Sequence, residues 1–97
     1  MSHIIKFRPS ADAIYSTIDN EVVIMSMASD QYISLNEVAS RIWELISEKP
    51  LTMEELVRAL LDEYEVEEGV CRKEVGEFIT ELDEKGLVSR VSEGESE

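Results

Sequence analysis

The apolar residues of this chain change their spacing once. Up to Leu35 they tend to alternate with polar residues, and beyond Asn36 they recur every third or fourth position. A chain of 97 residues has room for one core, so the alternating and the helical segments must pack against each other. The predicted class is therefore α+β: a small antiparallel sheet followed by helices. The β-prone runs at residues 4–8, 14–18 and 22–27 end at Pro9, at Asp19-Asn20 and at Ala28-Ser29-Asp30, and a further run covers residues 31–35. The meander is clearest over residues 22–35. Whether residues 4–8 add a strand is left open by the pattern.

Helix boundaries are marked by capping chemistry. Asn36 is placed to cap a first helix whose stripe holds Val38, Ala39, Ile42, Trp43, Leu45 and Ile46 and stops before Pro50. Thr52 and Glu55 have capping-box spacing, with Leu51 and Leu56 as the flanking staple, and a second helix is predicted to about Tyr64. A third stripe of Val75, Phe78, Ile79 and Leu82 ends at Gly86, where Leu82 and Leu87 can meet across a Schellman turn. The order reads β, β, β, α, α, α: a three-stranded antiparallel sheet followed by three helices, winged helix-turn-helix-like. One domain is expected over residues 1–91, with 92–97 as an acidic disordered tail.

Composition removes several function classes. Twenty-two acidic residues against nine basic ones give a net charge of −13. Phosphate neutralisation by clustered cations supplies most nucleic-acid affinity, so that partner is disfavoured. The only histidine is His3, the four glycines are isolated, and no EF-hand run occurs, so no triad, phosphate loop or metal set is expected. No catalytic residue and no cofactor are predicted. Cys71, the only cysteine, precedes Arg72 and Lys73, which would favour a reactive thiolate near a helix start, but its place in an apolar stripe argues for passive packing. With neither a long apolar run nor a signal-type segment, a cytoplasmic protein without membrane contact is expected.

What the chain does offer is an unprotected strand. Gln31, Tyr32, Ile33, Ser34 and Leu35 carry neither charge nor proline, so as an edge they can accept another strand. Cys71, Val75, Phe78 and Leu82 recur at spacings of four, three and four on the third helix, and Gly76 beside them lacks bulk. Strand and stripe together make a groove for an extended peptide.

The stretch Gln31-Tyr32-Ile33-Ser34-Leu35-Asn36-Glu37-Val38-Ala39-Ser40-Arg41-Ile42-Trp43-Glu44-Leu45-Ile46 resembles the strand-Leu-Asn-helix signature of the PqqD-like family. Val22-Val23-Ile24-Met25, Leu51-Thr52-Met53-Glu54-Glu55-Leu56 and the segment from Glu74 to Leu82 followed by Gly86-Leu87 extend the resemblance over about residues 13–91. It implies a domain that binds the leader of a ribosomally made precursor peptide as an added strand between the third strand and the third helix. The binding residues so implied are Asp30, Gln31, Tyr32, Ile33, Ser34, Leu35, Cys71, Glu74, Val75, Phe78, Ile79 and Leu82. Within the family, the region of Tyr32 to Trp43 is most similar to stand-alone leader-binding subunits of lasso-peptide systems. Their partner is a separate leader protease, and their leaders typically carry a Tyr-x-x-Pro element.

Three alternatives remain at this point. One is a pyrroloquinoline-quinone-type peptide chaperone serving a radical-SAM enzyme. The second is a winged-helix nucleic-acid regulator, which the seven carboxylates against three cations over residues 67–85 oppose. The third is occupancy of the edge strand by a second copy, making the protein a weak dimer rather than a monomer.

Overall fold

The structure, a computed structural model, describes residues 4–19, 21–27 and 30–93. Its elements in chain order are β1 (Ile4–Pro9), β2 (Ala13–Ile18), β3 (Glu21–Ser26), β4 (Tyr32–Ser34), α1 (Glu37–Glu48), β5 (Leu51–Thr52), α2 (Met53–Glu63), α3 (Glu68–Glu84) and β6 (Val88–Glu93). The α+β class and the three helices follow the sequence pattern. So does the three-stranded antiparallel meander, β2-β3-β4, to which the structure adds a second three-stranded antiparallel sheet, β5-β1-β6. The segment left open by the pattern, residues 4–8, is a strand that pairs with the C-terminal segment and β5 instead of joining the meander. Its register sets Phe7 opposite both Leu51 and Arg90. Phe7, Leu51 and Val88 are all buried there, apolar surface that neither chain end could cover alone. Pairing also carries β6 to Glu93, two residues beyond the expected boundary at 91; residues 94–97 lie outside the described residues.

In the meander, Val22 and Ile24 point inward and are fully buried, while Met25 is turned outward. Ile18 pairs with Glu21, and the chain reverses with Asp19 in the left-handed region at φ 52°. The inward residues meet a helical layer centred on Trp43, Ile42, Ile46, Leu56, Val75 and Leu82. Tyr15, on the same inner face, sets its ring edge-on to Trp43 with centroids 5.8 Å apart.

The caps are formed as the sequence predicts. Asn36 Oδ1 accepts from the Ala39 amide at 2.8 Å, and Thr52 and Glu55 satisfy each other's backbone amides. Gly86, at φ 72°, closes α3: its amide donates to Asp83 O and that of Leu87 to Leu82 O, with Leu82 and Leu87 both buried. Between helices, Arg41 on α1 makes a two-pronged contact with Glu63 on α2, both bonds 2.8 Å. Arg72 on α3 joins Glu54 of α2 and Glu68 of its own helix.

One buried hydroxyl ties the meander to α1. Ser40 Oγ accepts from the Val22 amide at 3.1 Å and donates to Leu35 O at 3.2 Å. It thus completes the β3–β4 ladder where the chain leaves the sheet. Ser40→Ala strands both groups without a partner and is expected to lower stability by about 1–3 kcal/mol in denaturant unfolding. A second expectation concerns pH. Hydrogen bonding to Arg41 holds the Glu63 carboxyl below the usual carboxylate range. A depressed folded-state value contributes stability above the unfolded value and loses it as pH falls through the folded value. Glu63→Gln should therefore cost less than about 1 kcal/mol at pH 7, since the pair is partly solvated, and the cost should shrink progressively as pH is lowered below the usual carboxylate range, read from paired melting curves.

Candidate peptide-binding groove

The β3–β4 register decides which backbone groups of β4 are spoken for. Ser26 donates its amide to Gln31 O and Leu35 donates to Val22 O, both at 2.8 Å, and Ile33 lies opposite Ile24 between them. Residues 31, 33 and 35 therefore face β3, and by alternation the amide and carbonyl of Tyr32 and Ser34 face away from the sheet. β4 ends the order β2-β3-β4, so this side is the free edge. Leu35 is buried and Ile33 half-buried against the core, whereas Asp30, Gln31, Tyr32 and Ser34 are exposed. Asp30 holds the turn into the strand at φ 58°, its amide bonded to Ser26 O.

Just past this strand lies a cleft of about 270 Å³ between the first turns of α1 and the middle of α3. Val38, Ala39, Ile42 and Phe78 make its apolar surface; Asn36, Glu74, Glu77 and Glu81 edge it. A smaller, almost wholly apolar hollow lined by Leu60, Tyr64, Val66, Cys71 and Val75 adjoins the cleft, with Val38 and Glu74 lining both.

Of the α3 residues expected to bind, Glu74 and Phe78 line the cleft, and Cys71 and Val75 form the floor of the hollow. Ile79 and Leu82 line neither and are buried in the core. Gly76 does not open the groove. It borders a separate, shallow concavity with Met53, Arg72 and Thr80, on the far side of Glu77 and Glu81 from the cleft they both line. The α1 residues Val38, Ala39 and Ile42, expected only as part of the first helix's apolar stripe, form the opposite wall. Glu77 and Glu81, one position before and three after Phe78, are the other additions.

Cys71 is buried, and desolvation, assisted by Glu74, pushes its thiol up despite the nearby Arg72. That environment suits a packed thiol and not a reactive thiolate. Among the described residues there is no group of three or more His, Cys, Asp or Glu side chains able to hold a metal ion, and no helix is long and apolar enough to cross a membrane.

The geometry yields one test away from the groove. A Cβ built on Gly76 meets nothing within 4 Å, so Gly76→Ala should raise stability by about 0.5–1 kcal/mol through helix propensity alone, and leave peptide affinity unchanged in titration.

Comparison with known proteins follows the same line. The family model for coenzyme PQQ synthesis protein D (PqqD) matches residues 21–88. A solved structure of TbiB1 in complex with the TbiA(beta) leader peptide is 32% identical, with a TM-score of 0.75, covering 93% of this chain and 99% of that one. A lasso peptide synthetase B1 complexed with the leader peptide shares the fold at 24% identity and a TM-score of 0.75, covering 86% of this chain and 96% of its own. No curated protein sequence matches.

Proposed function

The chain belongs to the PqqD family, and from that premise we propose that it binds, without chemistry of its own, the leader of a ribosomally made precursor peptide, of the lasso class. The observation that carries the reading is the pairing of a free edge, with Tyr32 and Ser34 backbone groups directed outward, and a partly apolar cleft beside it. The leader lies along β4 as a fourth strand. Its backbone bonds supply affinity that is indifferent to sequence, and side chains directed at Phe78, Val38 and the Cys71–Val75 hollow supply choice. Holding the leader raises the local concentration of the attached core peptide at the enzyme that processes it.

That enzyme, a separate leader protease in this reading, needs a surface of its own. Across the outer face of the meander Ile14 pairs with Met25 and Met25 with Tyr32, all in one row and 50%, 47% and 71% exposed. Three large apolar side chains aligned on a solvent face point to docking. A leader strand added to β4 continues the same face, so the protease meets protein and leader together.

Fluorescence polarisation with the synthetic leader of any short precursor encoded beside this chain tests the reading. Ser34→Pro removes one outward amide without touching the β3 ladder and should weaken binding by roughly fivefold. Phe78→Ala should weaken it by roughly tenfold or more. Val75 is fully buried, so a charged residue there would report on folding instead. Unchanged affinity in both variants, with melting curves like the parent, would remove the groove from the account.

A further inference from the structure

The groove is not electrically neutral. Glu74, Glu77 and Glu81 stand three and four residues apart, on one side of α3 over about 10 Å, and all three border the cleft. Elsewhere three of the five arginines are matched with acids: Arg41 with Glu44 and Glu63, Arg72 with Glu54 and Glu68, and Arg90 with Asp83. Among the described residues no ion pair reaches Glu74, Glu77 or Glu81. Glu77 and Glu81, at a spacing of four, repel each other along the helix; the nearest cations in sequence, Lys73 and Lys85, stand four residues before and after them and do not line the cleft. The charge of Glu74 is felt at the neighbouring Cys71, whose thiol is raised by burial together with that carboxylate.

Resting on the leader-binding reading, we propose that the peptide crossing this cleft carries lysine or arginine beside its apolar anchor residues, and that Glu74, Glu77 and Glu81 select it by that charge. The apolar anchor enters the hollow over Cys71 and Val75 or packs on Phe78, while the long stem of the basic residue crosses Val38 and Ala39 and delivers its cation to the rim. Apolar anchors are shared by many peptides; the three carboxylates distinguish basic leaders from neutral and acidic ones. A second copy of this chain is a poor occupant, because its net charge of −13 meets the same rim with repulsion.

The test titrates the protein with two labelled probes at low and high salt. One is the leader of any short precursor encoded beside this chain; the other is the same peptide with every lysine and arginine replaced by glutamine. The expected result is an affinity for the native probe at least about fivefold above that for the neutral one at low salt, with the gap closing as salt rises. Glu77→Gln with Glu81→Gln should lose the preference while still binding the neutral probe. Equal affinity for both probes, or a leader that carries no cation, overturns the charge selection; a loss in Phe78→Ala in the same series leaves leader binding standing. No saturable binding of either probe overturns both readings. A dimer detected by sedimentation and abolished by Phe78→Ala assigns the groove to a second copy and overturns both as well.

Discussion

β4 is held from one side only. Ile33, with Gln31 and Leu35 on either side of the strand, faces β3, and the backbone groups of Tyr32 and Ser34 between them point away from the sheet. So short a strand would have little persistence alone, and its position depends on what anchors its ends. Asp30, in the left-handed region, fixes the entry, and Leu35 buries the exit. Ser40 then fastens the exit to α1 by bridging Val22 and Leu35. The result is an edge whose orientation relative to the helices is set before any ligand arrives. Preorganisation of this kind lowers the ordering cost of association.

The division of labour between the two sheets follows from the same constraint. The β5-β1-β6 sheet gathers both ends of the described chain and buries Phe7, Leu51 and Val88, closing the core at a distance from the edge. The β2-β3-β4 sheet spends only one face on the core, through Val22 and Ile24, and leaves Ile14, Met25 and Tyr32 on the other. Arg41 and Arg72 clamp α2 to its neighbours without entering the groove. Three of the carboxylates without an ion pair, Glu74, Glu77 and Glu81, border the cleft, where a basic segment could use them.

Local signals were legible where one residue suffices to specify geometry. Asn36, Thr52 with Glu55, and Gly86 each fix a helix end by a hydrogen bond or a positive φ, and all three were placed from sequence. Pairing between distant segments was not legible, because residues 4–9 carry the same alternation whether they join the meander or the C-terminal strand. Periodicity also cannot separate core from groove. Val38 and Ile42 share a stripe with Trp43, yet they line the cleft, whereas Ile79 and Leu82, on the stripe with Phe78, do not. Burial is decided by what stands opposite, and the opposite wall of this groove comes from a helix more than thirty residues away in the chain.

Amide hydrogen exchange at β4, read by NMR with and without the leader, tests strand addition most directly. In the free protein the amide of Ile33 should exchange slowly and those of Tyr32 and Ser34 fast, because only the first is directed at β3. On saturation with leader, Tyr32 and Ser34 should become protected while Ile33 changes little. Saturable binding that leaves Tyr32 and Ser34 exchanging as fast as before would contradict the account, since the peptide would then be held by side chains alone and not as a strand of the sheet.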